Sequence, residues 1–274
     1  MTIHFGLIII GDEILSGKRA DKHLPKAIEL LAARGLSLSY AHYVGDDPAR
    51  ITATLTSAFA AAREFGDVVF SCGGIGATPD DHTRQCAAQA LGVGTVLHPQ
   101  AKALITERMQ DTAREQGIPF NADRHDNIHR LNMGVFPVGA SIVPNPYNKI
   151  PGFSCTAGTG AVHFLPGFPV MAWPMMAWVL DAQYAHLHQS AAYAEKSVIV
   201  MGSMEATLTP LMVEIETAHS AVKVFSLPSV DHPVYGRHIE LGVKGRPDAV
   251  DPAFEALLFG LKAFQVTLGP ELVR

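Results

Sequence analysis

The sequence predicts an α/β protein: a largely parallel sheet with helices on both faces, followed by a second, small ferredoxin-like α+β domain. Three observations carry this. Strand-like and helix-like segments alternate from the N-terminus to Gly92, the order that builds a parallel sheet covered on both sides. A glycine turn, Gly73-Gly74-Ile75-Gly76, follows the short apolar run Val68-Val69-Phe70-Ser71-Cys72, which reads as a strand buried on both faces. After residue 193 the order becomes βαββα(β), the ferredoxin-like succession. The expected domains are residues 1–192 and 193–274.

Taken in order, Met1 to Ile10 reads as a first strand running into Gly11-Asp12-Glu13-Ile14-Leu15-Ser16-Gly17. A helix follows with Leu24, Ile28 and Leu31 on one stripe, stopped by Gly35. Leu36 to Val44 is a second strand. Asp47 then caps a helix whose first residue is Pro48 and whose inner face carries Ile51, Leu55 and Phe59. After the third strand and its glycine turn, Thr78 is expected to cap a helix with Pro79 first and Asp81 three residues beyond the cap. Pro99 to Gln116 reads as a helix and residues 117–135 as an irregular polar loop. His125 and His129 are four apart, a metal-like spacing if helical, but no third ligand is evident. Short strands punctuated by Pro and Gly come next. Val162 to Leu165 aims at the same crevice as the glycine turn, and the helix through Met175, Met176, Val179 and Leu180 closes the domain. In the second domain, Ser197–Met201 is a strand and Glu205–Ala218 a helix with Leu208, Leu211, Met212 and Ile215 inward. A hairpin is expected through residues 228–233, then a helix over 248–264 and a strand over 265–268.

A strand, a glycine turn and a helix start form a phosphate cradle, because free N–H groups and the helix dipole face the anion. The alternative is a tight βα turn whose aspartates only favour a helix start. The spacing is neither G-x-x-x-x-G-K-[ST] nor G-x-G-x-x-G, so neither the P-loop nor the dinucleotide fingerprint applies. Strand ends bring Asp12 and Glu13, Asp46, then Asp80 and Asp81 to one edge. Carboxylates there suit a divalent cation, or sugar and base hydrogen bonds, beside a bound phosphate.

Composition narrows the class. With 274 residues, 48% hydrophobic and 17% charged, the chain can bury a sizeable core. A net charge of −5 argues against generic nucleic-acid binding. In residues 195–274 acids are interspersed with Lys223, Arg237, Lys244 and Arg246, so the basic face that a KH-type RNA site needs is not indicated. Three scattered cysteines, Cys72, Cys86 and Cys155, with no C-x-x-C, indicate neither a disulfide framework nor a cysteine zinc site, and a reducing cytoplasm is the expected setting. The longest apolar stretch, Phe168 to Leu180, is too short to span a bilayer and carries prolines. The N-terminus reads as a strand, not a signal peptide.

Gly11-Asp12-Glu13-Ile14-Leu15-Ser16-Gly17, Val44-Gly45-Asp46, the run Cys72 to Thr83, Pro144-Asn145-Pro146 and Leu165-Pro166-Gly167-Phe168-Pro169 together resemble the CinA family, whose first domain belongs to the MogA/MoaB molybdopterin-binding superfamily. The resemblance implies a three-layer α/β/α first domain and a small CinA-type middle domain, ending before the deamidase domain of longer members. It implies that Gly73, Gly74, Gly76 and Thr78 hold the phosphate of a molybdopterin or adenine nucleotide, joined by Asp12, Glu13, Asn145, Pro166 and Gly167. It marks Asp46 and Asp81 as the functional aspartates, with Asp46, Asp80 and Asp81 as candidate ligands for Mg, Mn or Co. Some relatives hydrolyse the pyrophosphate of ADP-ribose with such a metal. The expected activity is therefore that hydrolysis, or binding of a pterin or nucleotide without chemistry. A homo-oligomer, dimer or trimer, is expected, with the small domain supplying contacts or closing the pocket. Four places depart from the family pattern: Asp21-Lys22-His23 for its Asp-Thr-Asn, Ala77 for a proline, Tyr147-Asn148-Lys149 for a glycine-containing segment, and Met171 for an acid.

Overall fold

The computed structural model describes residues 3–188 and 194–274, which fall into two compact units; the expected boundary at 192/193 lies outside the described residues. The first unit runs β1 (Phe5–Ile10), α1 (Asp12–Leu15), α2 (His23–Ala32), β2 (Leu38–Val44), α3 (Pro48–Phe65), β3 (Val68–Cys72), α4 (Thr83–Leu91), β4 (Thr95–Leu97), α5 (Pro99–Glu115), α6 (His125–Leu131), β5 (Val135–Pro137), β6 (Ser141–Val143), β7 (Gly152–Ala157), β8 (Gly160–Leu165) and α7 (Pro169–Gln183).

Its main sheet has the order β2-β1-β3-β8-β7-β6. The first four strands are parallel, and β7 and β6 continue as antiparallel neighbours. Alternation along each strand splits the core in two, as period-2 side chains require. Ile8, Ile10, Val69, Val162 and Phe164 face one layer with Ile51, Leu55 and Phe59 of α3 and Ile105 of α5. Leu7, Ile9, Val68, Phe70 and Leu165 face the other, with Leu31 of α2 and Met175, Met176 and Val179 of α7. The arrangement is the expected three-layer α/β/α. Asp47 caps α3 by accepting from the Arg50 N–H at 2.8 Å, with Pro48 following it.

Register then places the loops. Ile9 is level with Cys72, and Cys72 with Leu165, so Gly11, Gly73 and Pro166 leave the sheet side by side. The chain turns to opposite sides of β1 after β1 and after β3, which opens a crevice at the carboxyl ends of those strands.

Three expectations are corrected. Ile28, expected on the inner stripe of α2, is 50% exposed, and the helix buries Ala27 beside Leu31 instead. No helix opens at Thr78: residues 73–82 are loop, and α4 begins at Thr83. Asp81 therefore lies in the loop, not at the third position of a helix. Residues 117–135 are not wholly irregular either, since His125–Leu131 forms α6, on which the His125 and His129 rings meet with their Nε2 atoms 3.3 Å apart.

The second unit comprises β9 (Ala194–Met201), α8 (Glu205–Ala218), β10 (Val222–His232), β11 (Gly236–Gly245), α9 (Pro247–Leu261) and β12 (Thr267–Val273). Its sheet order, β10-β11-β9-β12 and wholly antiparallel, is that of a ferredoxin-like fold. Leu208, Leu211 and Ile215 of α8 pack with Phe254 and Leu257 of α9 against the sheet's Val198, Val200 and Leu241. The hairpin strands run further than expected, leaving the turn at residues 233–235. The last strand is also longer, Thr267–Val273.

Beneath α7, His163 is fully buried between Ser154 Oγ, 2.6 Å from its Nδ1, and Tyr184 Oη, 2.8 Å from its Nε2. Burial pushes its pKa down to about 3. A histidine neutral in the fold but titrating near 6.5 when unfolded leaves stability intact above pH 6.5 and removes it between there and about 3. We expect urea-unfolding free energy to fall by up to about 1.4 kcal/mol per pH unit below 6.5 from this residue. His163→Gln, measured over the same pH series, should lose that part of the slope.

Candidate functional site

A cavity of about 750 Å³ opens at the carboxyl ends of β1, β3 and β8, lined by residues 73–78, the 166–168 turn and the loops after β1, β2 and β6. Its volume suits a small organic ligand. The glycine loop forms its floor, and two glycines there are sterically required. Gly73 has φ 111°, and a Cβ on it would lie 2.1 Å from the Ile10 carbonyl oxygen. Gly74 has φ 66°, and its Cβ would collide with Thr83 Oγ1.

The loop's carbonyls are held from behind by the start of α4. Thr83 Oγ1 donates to Gly73 O at 3.1 Å and the Thr83 N–H to Gly74 O at 3.0 Å. Arg84 Nη1 donates to both Ile75 O and Gly76 O. In a trans peptide the C=O and the following N–H point opposite ways. With those carbonyls turned toward α4, the N–H groups of Gly74, Ile75, Gly76 and Ala77 turn away from it. Among the described residues nothing accepts from these N–H groups. Such a run of convergent donors is an anion nest. It also explains the displaced helix start, because a helix from Pro79 would take Thr83 and Arg84 away from the loop.

The predicted acids divide. Glu13, Asp46, Asp80 and Asp81 line the cavity. Asp12 does not: its Oδ1 accepts from the Asp46 N–H at 3.1 Å, while Asp46 Oδ2 accepts from the Asp12 N–H at 2.9 Å. This reciprocal pair ties the end of β1 to the end of β2. Burial, and then the charges of Asp12, Glu13 and Asp80, push the Asp46 carboxyl above its usual range. Exposed Asp80 goes the other way, held down first by hydrogen bonding from Thr78. Asp81 Oδ2 accepts from the Thr78 N–H at 2.8 Å and its hydroxyl at 2.5 Å, closing a turn next to Gly76. Among the described residues no three His, Cys, Asp or Glu side chains gather as a metal site. The carboxylates as placed are thus not a ready ligand set for a cation.

Of the remaining predicted residues, Thr78, Asn145, Pro166 and Gly167 all line the cavity. Asn145 spends its amide inside its own loop, donating to Asn148 Oδ1 and Ile150 O and accepting from the Tyr147 N–H. Gly167 O faces His23 Nε2 at 3.0 Å.

Sequence reading missed several residues. Lys18 and Arg19 line the mouth and are exposed, with no ion pair among the described residues. Met133 and Ile150, also missed, line the cavity together with Phe168 and Met171, which the sequence motifs name; Phe168 stays 58% exposed. Arg84 left a signal: a cation in a helix's first turn opposes the dipole, so it calls for a reason. The segment after Asn145 is tied to its surroundings. Asn148 Nδ2 lies 3.2 Å from Met171 Sδ. Lys149, at φ 65°, has its ammonium 2.7 Å from Glu107 and 2.5 Å from Asp111 of α5. Two carboxylates thus fasten a side chain in backbone territory that glycine takes more readily.

The chain matches the family described as a probable molybdopterin binding domain over residues 6–186. A protein of Pyrobaculum calidifontis is 28% identical over 263 residues, covering 94% of this chain and 95% of that one. A CinA-like protein of Anaeromyxobacter sp. (strain K) is 32% identical over 164 residues, 60% of this chain and 37% of that relative. The solved structure of CinA from Thermoplasma acidophilum, described as of unknown function, superposes with a TM-score of 0.53 at 24% identity over 65% of this chain and 98% of that one. At that identity the likeness concerns the fold.

Gly73→Ala should destabilise the first unit by roughly 2 kcal/mol or more, from left-handed strain and collision with backbone. Gly94→Ala, where an added Cβ meets nothing within 4 Å, should change stability by less than about 0.5 kcal/mol. Chemical denaturation of the pair beside wild type checks this.

Proposed function

The chain belongs to the family described as a probable molybdopterin binding domain, with CinA-like relatives, and from that premise we propose that its cavity binds a phosphate-bearing pterin or nucleotide. One observation carries the reading: the N–H groups of Gly74 to Ala77 turn away from α4, unpartnered among the described residues, in a loop that lines the cavity. A phosphate there would accept from several N–H groups at once, without side-chain reorganisation. Ile150, Phe168 and Met171 line the same cavity, and their apolar surface suits the face of a flat ring.

Charge sharpens the choice of ligand. Four acids and two bases line the cavity, namely Glu13, Asp46, Asp80 and Asp81 against Lys18 and Arg19. Side-chain charge therefore does not draw an anion in; the backbone donors must. The acids are better used as acceptors for the N–H groups of a pterin or purine or the hydroxyls of a sugar.

A second reading is hydrolysis of a nucleotide diphosphate such as ADP-ribose with a divalent cation. The acids at the cavity mouth favour it. Against it stands the lack of three gathered ligands among the described residues, and the engagement of Asp81 with Thr78.

Thermal-shift titration with ADP, ADP-ribose and a reduced pterin phosphate tests the first reading. A ligand at a hundred times its Kd should stabilise the protein by about 2.7 kcal/mol. No shift with any phosphate-bearing probe would sink it. Incubation with ADP-ribose and Mg²⁺, Mn²⁺ or Co²⁺ separates the two readings: binding alone leaves ADP-ribose intact, whereas release of AMP supports hydrolysis. Asp46→Asn provides a further check. It removes charge from a carboxyl whose pKa is raised in the fold, a state that loses stability as pH rises through the carboxylate range. The variant should melt no lower than wild type at pH 7, and its advantage should vanish on acidification below that range.

A further inference from the structure

Arg84 occupies an environment that should exclude it. It is 4% exposed. It sits second in α4, where the helix dipole repels a cation. It makes no ion pair among the described residues, and its Nε has no partner. Burial pushes its pKa down, with Asp81 the only carboxylate opposing that. A buried charge without a paired ion is usually worse for stability than an apolar side chain of the same volume. What an apolar side chain could not do is donate to two successive carbonyls.

We propose that Arg84 is the positioning residue of the phosphate cradle: by donating to Ile75 O and Gly76 O it fixes the outward direction of the Gly76 and Ala77 N–H groups. This rests on the reading that the cavity takes a phosphate-bearing ligand. Thr83 does the same for the two preceding peptides, with its hydroxyl on Gly73 O and its N–H on Gly74 O. Half of that clamp comes from the Thr83 backbone and survives substitution. The Arg84 half depends wholly on the side chain. Without it, the Ile75–Gly76 and Gly76–Ala77 peptides are free to rotate, and a carbonyl dipole would then face the ligand's phosphate. Arg84 does not touch the ligand in this account; its cation and the ligand lie on opposite sides of the loop.

The test uses the full chain as wild type, Arg84→Met and Arg84→Lys, with two readouts. The first is ligand-free: amide ¹H–¹⁵N signals of Gly74, Ile75, Gly76 and Ala77, with those of β1 as internal control. Arg84→Met should broaden or split the Gly76 and Ala77 signals and leave β1 unchanged. Arg84→Lys, which keeps the charge but lacks the fixed fork, should give an intermediate result and remains readable if the Met variant does not fold. The second readout is the affinity for ADP against that for adenosine, which lacks phosphate. ADP affinity should fall tenfold or more in Arg84→Met, with adenosine affinity unchanged; a merely structural role would lower both or neither. Superimposable loop signals, or equal loss for both ligands, overturn the proposal. If wild type itself ignores ADP, the binding reading fails, while the amide comparison still decides whether Arg84 orients the loop.

Discussion

Everything at the cavity depends on which way four peptide units face. The loop after β3 could turn either its carbonyls or its N–H groups toward a ligand. Two neighbouring residues, Thr83 and Arg84, settle the direction by drawing the carbonyls of Gly73 through Gly76 to the start of α4. Peptide planarity converts that pull into N–H groups on the other side. The two glycines at positive φ are what allow the chain to follow this path. The late start of α4 is the same constraint seen from the helix: the turn closed by Thr78 and Asp81 ends before Thr83, leaving the latter's N–H available for Gly74 O.

The acidic edge is shaped by similar backbone service. Asp12 and Asp46 each accept from the other's N–H, so one carboxylate is withdrawn from the cavity and the loops after β1 and β2 are tied together. Asp81 closes its own turn. Of the acids that motif reading would place around a cation, several are thus engaged in holding loops. Hydrogen bonds from backbone N–H groups to ionised carboxylates are among the stronger ones available to a surface loop, which explains why acids suit these positions even without a metal.

The segment after β6 is tied to its neighbours by side chains. The segment Tyr147-Asn148-Lys149 joins Met171 through the contact of Asn148 Nδ2 with Met171 Sδ. Lys149 anchors that segment to α5 through Glu107 and Asp111. Met171 gives the cavity an apolar, polarisable lining.

By itself the sequence determined the alternation of strands and helices, the cap at Asp47, the two-sided core, the ferredoxin-like succession after residue 193 and the convergence of Gly73, Gly74, Gly76, Asp46 and Asp81 at one edge. These follow from local periodicity, from turn chemistry and from the rule that parallel strands end on the same side. The tertiary structure alone decided the start of α4, the role of Arg84, the retirement of Asp12 and Asn145 into loop contacts, and the apolar wall of Ile150, Phe168 and Met171. The physical reason is that each of these is settled by a hydrogen bond or contact between segments far apart in the chain or folded back on themselves. Local propensity favoured a helix from Pro79, and four carbonyls needing donors outweighed it.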